Sequence, residues 1–206
     1  MNSQVAILIL AAGSSSRMGK IKQLLPWKGS TLLENTIRTA KSSMAGEVLV
    51  ILGSNAGLIK ESIHNINDVN IIENTKWRKG IGSSISCGIN YLTAYEKDIR
   101  AVIILLADQV LINSEYLNRM IELYTRGKKD LIATKYGHKT GVPALFDQFY
   151  FKDLSKLDED HGAHNLLKRF TDKIYTLDTF GKTFDVDTQE DYNKLLEMNA
   201  NKDKRF

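Results

Sequence analysis

Cysteine is nearly absent from this chain of 206 residues: Cys87 stands alone, so no internal disulfide can form and a reducing compartment is expected. No apolar run approaches the roughly 20 residues needed to cross a bilayer. No charged leader precedes the apolar residues 4–12, so the expected location is the cytoplasm, with no membrane partner. A basic stripe interleaved with aromatics is also missing, which argues against a nucleic-acid partner. The formal net charge of +4 is modest and suits an enzyme handling polyanionic small molecules without requiring one. Repeats, linkers and low-complexity segments are lacking too. What remains is an ordinary globular composition, 43% hydrophobic and 25% charged, at a length that suits one α/β domain over residues 1–206.

Continuous apolar runs alternate with helical patterns, the signature of a largely parallel sheet covered on both faces. Strands are expected at Val5–Ala11, Val48–Leu52, Val69–Glu73, Ala101–Leu106 and Asp130–Ala133. Leu32, Leu33, Thr36, Ile37 and Ala40 share one helical face. Ile85, Ile89 and Leu92 do so after Ser83, and Leu117, Met120, Ile121 and Tyr124 follow an Asn113 or Ser114 cap. Thr188 and Asp191 form a capping box for a last helix expected to bury Tyr192, Leu195 and Leu196. The polar tail from Asn199 to Phe206 is expected to fray.

The first strand runs into a small-residue loop carrying Arg17, Lys20 and Lys22, where backbone N–H groups can approach an anion and cations can neutralise it. It is not a Walker A loop: five residues separate Gly13 from Gly19, and Lys20 is followed by Ile21 rather than a hydroxyl. It is not a dinucleotide fingerprint either, because Ala11 stands where the first glycine belongs. Asp108, following strand Ala101–Leu106, lies on the edge where open α/β sheets bind ligands. An aspartate there can hold a hard cation or simply begin a turn. Asp187 can likewise be a cation ligand or one of several acids complementing a helix dipole. Gly80 and Gly82 can form a tight loop, with Ser83 and Ser84 opening a helix toward a ligand or Ser83 capping it. Trp77 can pack or stack. Cys87 falls beside core-facing residues and reads as a small hydrophobe.

The loop resembles the signature L-A-A-G-x-S-x-R-M-G-x-x-K-x-L-L of the MobA/MocA-like nucleotidyltransferases, through Leu10, Ala11, Ala12, Gly13, Ser15, Arg17, Met18, Gly19, Lys22, Leu24 and Leu25. Four further segments resemble that family's motifs in the same order. Asn74–Ser84 is similar to N-x-x-W-x-x-G-x-x-S-S, and Leu105–Gln109 to L-L-A-D-Q-P with Val110 in place of proline. Gly141–Phe146 is similar to G-x-P-x-L-F, and Asp185–Asp191 to D-V-D-T-x-E-D. A looser likeness joins residues 159–164 to G-D-x-G-A-R, where Glu159 replaces Gly and His164 replaces Arg. A histidine is a less dependable phosphate ligand than an arginine, which puts the acceptor in question rather than the nucleotide. A metal reading of His161 and His164 is disfavoured, since Gly162 weakens a shared helix and no third ligand is evident.

The resemblance implies a three-layer α/β/α Rossmann-like nucleotidyltransferase domain with a mixed, mainly parallel sheet. It implies transfer of a nucleoside monophosphate from an NTP to a phosphorylated acceptor, with Arg17, Lys22 and Asp108 catalytic. Leu10, Ala11, Ala12, Gly13, Arg17, Lys22, Gly80, Ser83, Ser84 and Asp108 would hold the nucleotide, and Asp108 with Asp187 would bind Mg²⁺. L-A-A-G resembles the molybdenum cofactor cytidylyltransferase branch, so CTP and molybdopterin are the expected substrates, with a molybdoenzyme or its chaperone as the expected protein partner. The alternatives are another NTP with a GTP-dependent molybdopterin or a sugar- or alditol-phosphate acceptor, and a non-catalytic nucleotide- or cofactor-binding accessory protein.

Overall fold

The structure is a computed structural model that describes residues 3–63, 66–96, 98–127, 129–158, 160, 162–179 and 184–203. Strand β1 (Val5–Ala11) is buried along its whole length. After a short hairpin of β2 (Pro26–Trp27) and β3 (Ser30–Thr31) come α1 (Leu32–Lys41), β4 (Glu47–Leu52), α2 (Ala56–Ser62) and β5 (Asn70–Glu73). Helix α3 (Ile81–Tyr95), β6 (Ala101–Leu106) and α4 (Ser114–Thr125) follow. The second half holds β7 (Leu131–Tyr136), β8 (Lys139–Asp147), α5 (Phe151–Leu154), α6 (His164–Arg169), β9 (Tyr175–Asp178) and α7 (Gln189–Asp203).

Seven strands form one sheet in the order β5-β4-β1-β6-β8-β7-β9. β8 runs antiparallel to both β6 and β7, while the other pairings are parallel. Alternation along β1 sorts its side chains between two layers. Val5, Ile7 and Ile9 meet Leu33 and Ile37 of α1 and Leu117 and Met120 of α4. Ala6, Leu8 and Leu10 meet Ile85 and Ile89 of α3 and Leu166 of α6. The mixed, mainly parallel sheet with helices on both faces is therefore as expected.

The five expected strands are present: β1 and β6 have the expected bounds, and those of β4, β5 and β7 move by one to three residues, the largest change being the extension of β7 to Tyr136. β8 and β9 were not foreseen. β8 opens with polar residues and contains Gly141 and Pro143, and β9 is a short edge strand of alternating exposure, so neither shows a continuous apolar run. Helix α3 begins at Ile81 with Gly80 as its N-cap, which puts Ser83 inside the first turn rather than at the cap. The Thr188–Asp191 capping box forms, with each side chain accepting from the other's backbone N–H. One expectation for α7 fails: Leu196 is 42% exposed, because only Tyr192 and Leu195 face inward; the helix runs as far as Asp203. Residues 204–206, Glu159 and His161 lie outside the described residues.

A third apolar cluster decides where the functional groups lie. Met18, Leu25 and Trp27 pack with Val110, Val186, Tyr192 and Leu195, so the loop after β1, the turn after β6 and the start of α7 share one core. The Tyr192 hydroxyl donates to the Pro26 carbonyl at 2.6 Å. Val110, standing in a proline position, contributes to this contact with its side chain. Leu195→Ala should lower the unfolding free energy by about 2–5 kcal/mol, the cost of a cavity at a fully buried leucine, whereas Leu196→Ala should change it by less than about 0.5 kcal/mol. Urea denaturation of the two variants checks this.

Candidate active site

The parallel strands end on one edge, and their following loops are knitted together by backbone hydrogen bonds. Ala107 N–H donates to the Leu10 carbonyl, Ser54 N–H to Ala12 and Asn74 N–H to Leu52. Above this edge opens a cavity of about 410 Å³. Its walls include the Leu10–Ser14 backbone, Lys22, Gly80, Ser84, Asp108 and Asp187.

Lys22 lies at the centre. It is the first residue of a short 3₁₀ turn, Lys22–Leu24. Its ammonium is in direct contact with Asp108 Oδ2 and lies 3.3 Å from both Asp187 Oδ1 and the Val186 carbonyl. Burial alone would lower the pKa of Lys22, but the Asp108 carboxylate, followed by Asp187, outweighs it and the net displacement is upward. The lysine is therefore a fixed cation at neutral pH. Arg17 pairs with Asp187, its guanidinium 3.2 Å from Oδ2 and largely exposed; it is not among the residues that line the cavity.

Asp108 is 6% exposed, and the Thr36 hydroxyl of α1 lies 3.0 Å from both the Ala107 carbonyl beside it and the Leu32 carbonyl. Its second oxygen, Oδ1, is buried and has no hydrogen-bond partner among the described residues. A buried carboxylate oxygen left unpaired is costly unless a cation or donor completes it. With Asp187 across the same ammonium, the donor set is one a hard divalent cation takes.

Two residues to which the motifs assign no role organise this site. Gln23 is 2% exposed; its amide donates to the Ala11 and Gly13 carbonyls at 2.8 and 3.1 Å and accepts from Ser15 Oγ at 3.3 Å. Ser15 Oγ in turn accepts from the Lys22 N–H. Holding these carbonyls inward leaves the loop free to present N–H groups to an anion. Gln109, equally buried, donates toward Tyr136 Oη, the Val142 carbonyl and Asp185 Oδ1. Desolvation, and then the nearby Asp108 carboxylate, push Asp185 above the ordinary carboxylate range. Burial followed by Asp185 pushes the Tyr136 phenol up. Gln109 stands at the glutamine of the L-L-A-D-Q-P element, whereas Gln23 falls at a variable position of the loop signature.

The remaining expected residues divide. Leu10, Ala11, Ala12, Gly13 and Gly80 line the cavity, and Gly80 adopts φ +104° where a Cβ would collide with Asp160. Ser84 faces the cavity while accepting from Asn74 Nδ2. Ser83 is engaged elsewhere: it accepts from Asn74, and its hydroxyl lies within bonding distance of the Lys76 and Gly80 carbonyls. Trp77 packs its Cβ against Gly53 and contributes to the cavity wall, with the Arg78 guanidinium 4.5 Å from its ring. Cys87 is half-buried, and burial raises its thiol pKa, as suits an inert small hydrophobe. His164 starts α6 and is exposed.

The family model described as MobA-like NTP transferase domain matches residues 7–174. The chain is similar to the purine catabolism protein PucB of Bacillus subtilis, at 27% identity over 91% of this chain and 94% of that protein. It is similar to nicotine blue oxidoreductase of Paenarthrobacter nicotinovorans, at 27% identity over 92% and 95%. Over 42% of its length it is 30% identical to the molybdenum cofactor cytidylyltransferase of Escherichia coli, covering 45% of that protein. A solved homologue of Rv0371c from Mycobacterium sp. strain JC1 superposes with a TM-score of 0.81 at 28% identity, covering 96% of this chain and 98% of that one. A manganese complex of Rv0371c from Mycobacterium tuberculosis superposes at 0.76 with 24% identity, covering 94% and 98%, a likeness of fold.

Gln23→Leu should cost about 1–3 kcal/mol by stranding two inward carbonyls. It should also weaken pyrophosphate binding, since those carbonyls can then rotate toward the anion. Thermal melts with and without pyrophosphate measure both effects.

Proposed function

The chain belongs to the MobA-like NTP transferase domain family and is a nucleotidyltransferase, and we propose that it transfers CMP from CTP to a phosphorylated acceptor of the molybdopterin type, releasing pyrophosphate. In this reading residues 1–206 act as one cytoplasmic domain, and a molybdoenzyme or its chaperone receives the product. The observation that carries the reading is the Lys22 ammonium held between Asp108 and Asp187 at the floor of a cavity walled by the Leu10–Ser14 backbone.

The acceptor phosphate is already anionic at neutral pH, so attack on the α-phosphorus requires no general base. A new P–O bond forms to the acceptor as the bond to the β-phosphate oxygen breaks, and the electron pair leaves with pyrophosphate. Catalysis then rests on positioning and on neutralising charge. Loop N–H groups between residues 12 and 19 receive the β- and γ-phosphates, and Arg17 covers the departing pyrophosphate. Lys22 exchanges its carboxylate contacts for the α-phosphate oxygens, where charge accumulates. Asp108, through its unpaired Oδ1, and Asp187 would hold Mg²⁺, which supplies additional charge neutralisation on the phosphates. Gly80 and Ser84 border the space left for the base and ribose. CTP is favoured by the L-A-A-G sequence, in which Ala12, a residue of the cavity wall, carries one methyl more than glycine would. One methyl discriminates by only about 1–3 kcal/mol.

Incubation with Mg²⁺, each of the four NTPs and molybdenum-loaded molybdopterin should release pyrophosphate with CTP. Lys22→Ala and Asp108→Asn should lower turnover by roughly 10²–10³-fold, and EDTA should abolish it. Release with GTP instead would move the nucleotide assignment. Nucleotide binding without release would favour a different acceptor, such as a sugar or alditol phosphate, or an accessory role.

A further inference from the structure

The Gln109 side chain has two amide hydrogens and three acceptors within 3.1 Å: Tyr136 Oη, the Val142 carbonyl and Asp185 Oδ1. Val142 already receives the Tyr136 hydroxyl. One assignment satisfies every group: Gln109 donates one hydrogen to Asp185 and the other to Tyr136, which passes its own to Val142. The Gln109 carbonyl oxygen accepts the Leu106 N–H at 3.4 Å, so flipping the amide would set that oxygen against the Asp185 carboxylate and a backbone carbonyl. The chain of bonds therefore runs from the Asp185–Asp187 loop, under the Asp108 turn, to strand β8.

We propose that Gln109 is a positioning residue for the two carboxylates at the site, holding Asp185 back so that Asp108 and Asp187 alone face the cation. This inference rests on the proposed metal-assisted transfer. Asp185 is two residues from Asp187 and one bond from the residue that follows Asp108. Without a donor, a third carboxylate sits beside two others, and repulsion displaces the segment carrying Asp187. The amide answers this with one charge-assisted hydrogen bond from a buried, fully committed donor.

The test uses Mn²⁺ alone as the probe, titrated into the protein and followed by electron paramagnetic resonance, with melting temperature recorded in parallel. Gln109→Glu sets a carboxylate against Asp185 and should weaken Mn²⁺ binding roughly tenfold, the scale of one lost charged hydrogen bond. Adding Asp185→Asn restores a donor–acceptor pair with its polarity reversed and should return the affinity to within about threefold of the unaltered protein. Unchanged Mn²⁺ affinity in Gln109→Glu, or no recovery in the double variant, overturns the inference while leaving nucleotidyl transfer standing. Should Gln109→Glu not fold, Gln109→Leu removes the donor without adding charge, and unchanged affinity there overturns it equally. A protein that transfers nucleotides yet binds no Mn²⁺ refutes both this inference and the assignment of metal to Asp108 and Asp187.

Discussion

The ion triad of Lys22, Asp108 and Asp187 is the constraint on which the site depends. Two carboxylates brought to one sheet edge repel each other unless a cation stands between them, and here the lysine ammonium takes that place. A buried lysine is equally costly without partners, so each side makes the other tolerable. The Lys22–Asp108 contact spans 86 residues of sequence and the Lys22–Asp187 contact 165. The folded chain therefore already contains a charge arrangement that a phosphate and a divalent cation can enter by exchange.

Apolar packing fixes where these charged groups stand. Met18 and Trp27 from the first loop, Val110 from the turn after β6, and Val186 and Leu195 from the last segment share one small core. The charged groups are carried by neighbours of these anchors: Arg17 precedes Met18, Asp108 lies two residues before Val110, and Asp187 follows Val186. Two buried glutamines complete the frame by occupying backbone carbonyls and a surplus carboxylate that would compete for the same cations.

Much of this was legible in advance because its signals are local. β1 and β6 are apolar runs long enough to be recognised, and the loop residues that line the cavity follow β1 directly. The Thr188–Asp191 capping box and the Asn113 cap are three-residue relations that form as expected. Ser83 shows the limit of such reasoning. A serine near a helix start suggests a cap, yet Gly80 begins α3 and Ser83 turns its hydroxyl to carbonyls inside the turn. β8 escaped notice because its pairing partners, β6 and β7, supply the burial its own polar and glycine-containing opening does not advertise. Leu196 was expected inside from the spacing of apolar residues, but α7 covers only one narrow strip of core, wide enough for Tyr192 and Leu195.

The amino-acid sequence alone determined the fold class, the small-residue loop after β1 and the residue types of the site, since each follows from short-range periodicity, turn chemistry or a contiguous motif. Tertiary structure alone decided that Lys22 stands between Asp108 and Asp187, that one Asp108 oxygen is left unpaired, and that Gln23 and Gln109 are structural hubs. Those outcomes are distances between residues far apart along the chain. They are set by how the three apolar layers close, and no local pattern encodes that closure.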